Sequence, residues 1–242
     1  MAVAQRIRPL EAHRAMRALL ADPDDTEKAF RVIAALSGKS TSRGLAKFRR
    51  SPVGVRFLRD RTRMLDLIAD SERMAAMPEG SLGAAVRDFY ATEQISAKGL
   101  VAASEEAYED VDGSNVSDSD EVEFFGQHLR DLHDTFHVLT GYGRDLRGEV
   151  AVLSFTVPQT RNPGVAFIVF TVLRRAGFRS EMGRLIRQGF RCGLRAAWLP
   201  GQDWAELFLK PLDEVRERLR IGRPLDYEAV RSEGAPVLAE GN

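Results

Sequence analysis

Apolar residues recur at helical spacing along most of this chain, and that periodicity confines it to a helical fold before any single residue is weighed. The clearest run is Phe125, Leu129, Leu132, Phe136 and Leu139, at steps of four, three, four and three, which gathers one stripe on one face for burial. Leu10, Ala12, Met16, Leu19 and Leu20 form a first helix. Ala29, Val32, Ile33 and Leu36 form a second, opened by the capping run Asp22-Pro23-Asp24-Asp25-Thr26 and stopped at Gly38. From Ser42 to Asp70 the pattern continues through Leu45, Phe48, Phe57, Leu58, Met64, Leu65 and Ile68, interrupted at Ser51-Pro52 because proline has no amide hydrogen to give a helix. Pro78 to Gly83 reads as a turn, after which Ala84, Val86, Phe89 and Tyr90 begin a helix that reads as a connector. Val150 to Val157 is β-branched enough for a strand, and Val165 to Arg174 fits either a strand or a buried helix. A lone strand has no evident partner here, so the expected class is all-α: a single helical domain over residues 1–242 with at most a minor β element.

Charge and cysteine content narrow the function classes. Lys+Arg and Asp+Glu both number 35, so the global positive charge that drives sequence-independent nucleic-acid binding is absent and no nucleic-acid partner is expected. Cys192 is the only cysteine, which removes any internal disulfide and any thiolate cluster within the chain. The longest apolar run, Val165 to Leu173, is about half the roughly 20 residues a membrane-spanning helix needs, so a soluble or peripherally attached protein is expected. Arg6, Arg8, Arg14 and Arg17 give the start of the chain a look of a transit peptide, but the apolar residues from Leu10 to Leu20 read as a first helix that runs directly into the folded region, and no apolar stretch suited to a secretory signal precedes it. Residues 105–123 are acidic without one basic residue, are centred on Asp112-Gly113-Ser114-Asn115, and read as a solvated surface loop whose spacing misses the calcium-loop pattern.

Three of the four histidines, His128, His133 and His137, fall within ten residues. His133 and His137 are four apart and project from one helical face one turn from each other, a spacing at which two imidazoles can reach one metal ion. On spacing alone such a pair is more often hydrogen-bonded or exposed than ligating. Asp134, three before His137, can lean into the same space. The helix stops at Thr140-Gly141-Tyr142-Gly143, and Glu149 opens the next apolar stretch, where a return of the chain can bring its carboxylate over the histidines. Arg130 lies three residues before His133 and can hold a substrate carboxylate or a nearby acid, or serve as a surface ion pair. His128 points away from the pair and is not expected to ligate.

The string His133-Asp134-Thr135-Phe136-His137, eleven further residues and then Glu149 matches the H-D-x-x-H-x(11)-E signature of the ubiquinone-biosynthesis family known as coenzyme Q protein four. Asp22-Pro23-Asp24, the stretch Met77 to Gly83 and Gly148-Glu149-Val150 also resemble that family, and the likeness covers about residues 15–220. The resemblance implies a largely helical protein that holds a divalent metal through His133, Asp134, His137 and Glu149. Zinc ranks first, with iron, manganese or cobalt compatible with the same donors. It implies action at C1 of a polyprenylated 4-hydroxybenzoate, whose ring carboxylate is replaced by hydroxyl, with the metal holding the substrate and stabilising the developing charge. Expected partners are that aromatic lipid, other ubiquinone-biosynthesis proteins, a membrane surface and a second copy of the chain. An early start of the likeness, together with arginine favoured over lysine, leads to an expectation of a bacterial cytoplasmic protein attached peripherally to the inner membrane.

A non-catalytic alternative is a lipid-binding scaffold in which the metal pins two helices together. A metal phosphohydrolase built on a His-Asp dyad ranks last, because it needs further histidines and only His13 lies outside the cluster. For the lipid tail, residues 165–172 can line an apolar channel or simply pack in the core. Arg184, Arg187, Arg191 and Arg195 form a ladder that can rest on anionic lipid heads or face solvent.

Overall fold

The computed structural model describes residues 7–23, 25–61, 63–93, 120–223 and 226–230. Of the acidic stretch expected at 105–123, residues 105–119 lie outside this range, and the remainder opens a helix. Helices α1 (Pro9–Ala21) and α2 (Thr26–Leu36) pair as a hairpin, with Asp25 capping α2 by accepting from the Lys28 amide at 3.3 Å. The segment from Ser42 to Asp70 breaks where expected: α3 (Ser40–Phe48) ends before Ser51, whose hydroxyl caps α4 (Pro52–Asp60) by accepting from the Gly54 amide at 2.9 Å. Two short helices follow, α5 (Met64–Ala69) and α6 (Ser71–Ala75), then α7 (Leu82–Thr92). The histidines lie on α8 (Asp120–Asp131) and α9 (His133–Thr140), two helices separated by the single residue Leu132.

Both stretches that could have been strands are helices, α10 (Leu146–Thr160) and α11 (Pro163–Ala176), followed by α12 (Glu181–Arg195), a 3-10 turn at Leu199–Gly201, α13 (Trp204–Leu207) and α14 (Leu212–Arg218). Among the described residues the β content is one isolated antiparallel bridge, Ser81 to Pro211. Caps decide the matter locally: Asp145 and Asn162 each accept from two amides of the turn they precede. Packing decides it globally. α10 lies between α11 and α12 and buries Ala151, Val152, Ser154, Phe155 and Gln159, so it is apolar on nearly every side and its helical period is hidden.

Close approach of α10 and α12 depends on two glycines. A Cβ built on Gly189 would stand 2.3 Å from the Ala151 carbonyl oxygen, and one on Gly193 would stand 2.2 Å from that of Phe155. Neither partner is a flexible side-chain end that can swing aside, so the helices would have to part. Gly189→Ala and Gly193→Ala are each expected to destabilise the fold on the order of 1–3 kcal/mol, read as a lower urea midpoint. An unchanged midpoint in either variant would contradict the packing.

The principal core joins α5, α6, α7, α9, α10, α12 and the chain from Ala196 to Ile221, with Trp204, Phe136 and Phe155 fully buried. A second cluster joins α1 and α2 to Ile168 of α11. There, Val165, Ile168 and Val169 are buried, which favours core packing over a channel lining for that face, while Phe170 is exposed. A third cluster sets Phe48, Phe57 and Phe125 around His128, whose ring lies 5.3 Å from Phe48 and 5.4 Å from Phe57. On α12 the arginine ladder is divided: Arg184 donates to the Asp226 carbonyl at 3.1 Å and Arg187 lies over the Phe178 ring, while Arg191 and Arg195 are exposed.

Candidate metal centre

Two helices and the loop between them build the site. α9 carries His133 and His137 on one face. Its last carbonyls, those of Val138 and Leu139, are held by the Arg216 guanidinium of α14 at 3.0 and 2.9 Å, and Gly141 ends it in a left-handed conformation. The chain then turns through residues 141–145 and enters α10, whose cap Asp145 bonds the amides of Arg147 and Gly148 at 3.0 and 3.3 Å. One turn later Glu149 faces the histidines.

The three side chains meet closely. His133 Nε2 is 3.3 Å from Glu149 Oε2, His137 Nε2 is 3.4 Å from the same oxygen, and the two imidazole Nε2 atoms are 3.2 Å apart. Donor atoms bound to one ion at about 2.0–2.1 Å are separated by about 3.3–3.4 Å in a tetrahedral arrangement and about 2.8–3.0 Å in an octahedral one, so this triangle has the dimensions of three tetrahedral positions. His137 Nδ1 donates to the Tyr142 carbonyl at 3.0 Å, which leaves the Nε2 lone pair directed at the cluster. A ligating histidine is held in the same way, by a hydrogen bond from its other nitrogen. Two imidazole nitrogens this close need a proton or a cation between them.

Electrostatics agree with a cation-seeking site. Burial acts to raise the Glu149 carboxyl, but the imidazoles of His137 and His133 outweigh it and hold the group well below the ordinary carboxylate range. Burial acts to lower His137, and Glu149 and Asp134 outweigh it and raise the imidazole. The Arg144 guanidinium, 3.5 Å from Glu149 Oε1, steadies the oxygen that the histidines do not share.

Asp134 stands outside this triangle. Adjacent residues on an α-helix point about 100° apart, and here the Asp134 side chain leaves the face of His133 and His137. It turns instead toward α7, where it faces the Tyr90 hydroxyl, and its buried Oδ2 has no hydrogen-bond partner. An unpartnered carboxylate oxygen one residue from the cluster adds negative potential that suits a cation. Arg130, expected to face a substrate, has its side chain nearly buried against Asp131, with Nε 3.0 Å from Oδ1. The positive charge beside Glu149 comes from Arg144. His128 is buried on α8 and its Nε2 donates to the Pro200 carbonyl at 2.9 Å, away from the triangle as expected.

Helix α7, read from sequence as a connector, forms one wall of the site. Phe89 stacks on the His137 imidazole with centroids 5.6 Å apart and planes at 22°. The helix is anchored at its start, where the Leu82 and Gly83 amides donate to the Lys210 and Phe208 carbonyls, both at 2.9 Å. Periodicity marked Phe89 and Tyr90 as apolar-face residues, but nothing in their spacing says which helix they meet.

Fold and site together define an all-α protein with a His/His/Glu cluster dimensioned for a divalent metal, set where two consecutive helices face each other. A sequence profile described as "Coenzyme Q (ubiquinone) biosynthesis protein Coq4" matches residues 8–224, and the chain belongs to that family. Among its relatives is a "Ubiquinone biosynthesis protein coq4, mitochondrial" of Botryotinia fuckeliana, 28% identical over 183 residues, covering 75% of this chain and 61% of the relative. The protein of the same name from Sclerotinia sclerotiorum matches with the same identity and coverage, so the match spans about three fifths of the length of these relatives. A crystal structure from Nostoc punctiforme, also assigned to ubiquinone biosynthesis, superposes with a TM-score of 0.59 at 20% identity, covering 88% of this chain and 98% of that one. At that identity the superposition establishes the shared fold alone. The fungal relatives are named as mitochondrial proteins, which overturns the expectation of a bacterial cytoplasmic protein at the inner membrane. That expectation came from arginine content and from where the likeness began, and neither is a physical determinant of compartment.

Proposed function

We propose that this chain serves ubiquinone biosynthesis as a metal-dependent protein acting at C1 of a polyprenylated 4-hydroxybenzoate. The observation that carries the reading is the triangle of His133 Nε2, His137 Nε2 and Glu149 Oε2, with sides of 3.2 to 3.4 Å. Three donors leave at least one coordination position for water or substrate, which is the pattern of catalytic rather than closed structural sites. Zinc is the first candidate, and iron, manganese or cobalt suits the same nitrogen and oxygen donors. When bound, the metal supplies Lewis acidity to a substrate carboxylate or phenolic oxygen.

The chain's own residues hold and orient. His137 is fixed by the Tyr142 carbonyl and the Phe89 ring, and Glu149 by Arg144 and the Asp145 cap, so the donors are preorganised. Phe89 also covers the buried side of His137 against water. Loss of the C1 carboxylate as CO2 leaves its bonding pair on the ring carbon. Putting hydroxyl in its place is a two-electron oxidation that consumes an oxygen-atom donor, or water together with a two-electron acceptor.

A lipid surface is part of the proposal. Phe170 in the middle of α11 and Phe178 just beyond its end are exposed by 62% and 61%, and Leu194 by 61% on α12; α11 and α12 also carry the exposed Arg174, Arg175, Arg191 and Arg195. Aromatic and arginine side chains together suit a headgroup boundary, and no helix among the described residues is long and apolar enough to cross a membrane. Other ubiquinone-biosynthesis proteins and a second copy of the chain complete the proposed partners.

Metal analysis of the purified protein, combined with aerobic and anaerobic assays of carboxylate loss from a prenylated 4-hydroxybenzoate, tests the reading. Metal-dependent turnover is expected. Bound metal without turnover under either condition would move the assignment to the lipid-binding scaffold with a structural ion, and the absence of bound metal would remove both readings.

A further inference from the structure

The segment 226–230, beyond the residues matched by the family profile, crosses the loop that joins the two halves of the site. Its contacts are specific. The Tyr227 hydroxyl donates to Asp145 Oδ2 at 2.8 Å and accepts from the Gly143 amide at 2.9 Å. The Val230 amide donates to Asp145 Oδ1 at 3.1 Å, and the Leu146 amide donates to the Val230 carbonyl at 2.9 Å. Leu146 is the first residue of α10, so the segment satisfies one of the amides that a helix start leaves without an internal partner. Arg147 fastens the far side by donating to the Glu228 carbonyl at 2.7 Å.

The contacts of Tyr227 and Val230 bear on residues that set the donors of the triangle. Asp145 caps the turn that carries Glu149, and the Tyr227 ring packs against Tyr142, centroids 6.0 Å apart, whose carbonyl fixes His137. There is little free space: a Cβ on Gly148 would stand 2.8 Å from the Tyr227 hydroxyl and 2.0 Å from the Gly143 carbonyl oxygen. The loop is held by one phenol at Gly143 and Asp145 and by the first amides of α10 at Asp145.

The geometry points to Tyr227 as a positioning residue that sets the metal affinity of the His133/His137/Glu149 cluster by fixing loop 141–145 between the two helices that supply the donors. This inference rests on the metal reading of the cluster. Removing the hydroxyl deprives the Gly143 amide and Asp145 Oδ2 of their shared partner, while the Asp145 Oδ1 cap and the apolar ring stay. The loop then samples more than one arrangement, and the three donors are no longer preset. Losses of outer partners of metal ligands cost roughly 10–100-fold in affinity, and an effect in that range is expected.

Co2+ titration of the full chain provides the test, because the ion's visible absorption reports ligand geometry independently of any activity. Tyr227→Phe is expected to weaken Co2+ binding by about tenfold or more and to alter the absorption bands, with far-UV circular dichroism unchanged. Arg147→Ala, which frees the segment at Glu228 without touching the phenol, is expected to move the affinity in the same direction and guards against a folding defect peculiar to the first variant. If both variants lose thermal stability in the metal-free state yet bind Co2+ as tightly as the parent with the same spectrum, the segment is merely structural and the inference is overturned. A parent chain that binds no Co2+ overturns the metal reading and this inference together, so the two failures are distinguishable.

Discussion

Replacing His137 by alanine is expected to strip the protein of its metal while leaving its helical content in place. The imidazole is the most enclosed of the three donors, 1% exposed, and it is the only one fixed both by a backbone carbonyl and by a stacked ring. Its loss removes a coordinating atom outright, so the affinity should fall by more than the roughly 10–100-fold associated with outer contacts. The fold should survive because Phe136 and Leu139 still seat α9 in the core, and alanine is the best helix former. Elemental analysis and far-UV circular dichroism on the same preparation check this. Metal content equal to that of the parent would sink the assignment of His137 as a ligand. Asp134→Asn, by contrast, changes a side chain outside the triangle and should reduce metal affinity without eliminating it.

The second large effect is one of pH, and it comes from the histidine that takes no part in the site. His128 is buried among three phenylalanines, and its Nδ1 has no hydrogen-bond partner. Burial pushes the imidazole down from an ordinary 6.5 to about 4, more than the bond to the Pro200 carbonyl raises it. Below pH 6.5 the unfolded chain therefore binds a proton at His128 that the folded protein refuses until about pH 4. Stability is whole above that window and falls progressively as the pH drops through it, by about 2–3 kcal/mol at pH 4.5. That is a large share of a typical stability of about 5–15 kcal/mol. Urea midpoints at pH 7.5 and 4.5 for the parent and for His128→Gln isolate the effect, since the other titrating groups are common to both. The glutamine variant should begin less stable and lose less on acidification. Parallel losses would show that His128 does not carry the acid sensitivity.

Sequence spacing reached some parts of this molecule and missed others for identifiable reasons. The i, i+4 relation places His133 and His137 on one face because it is a property of the helix itself, and the run of turn residues after Thr140 announced the reversal that brings Glu149 back. Asp134 was harder to place: the motif groups it with its neighbours, whereas helical geometry sends it to Tyr90. Contacts made across long stretches of chain left no local trace. Phe89 on His137, Arg216 on the last carbonyls of α9 and Tyr227 on Asp145 join segments separated by 48 to 82 positions. Arg144 was within reach of inspection, five residues before Glu149, but arginines are so frequent in this chain that none stood out by type. The helices at 146–160 and 163–176 were ambiguous because burial on several sides erases the polar stripe from which a helix is read.

The glycine contacts between α10 and α12 give the two halves of the site unequal mechanical standing. α10 lies backbone to backbone against its neighbour, so Glu149 rises from a surface with almost no play. α9 is eight residues long, with seven of them buried and its last carbonyls held by Arg216, so it is seated through side chains and not through a backbone contact. The carboxylate is therefore anchored through main chain and the histidines through the core beneath them. Because Phe136 and Leu139 enter the principal core from α9, a change of side-chain volume in the interior reaches the histidines through packing, whereas it reaches Glu149 only by shifting a backbone contact.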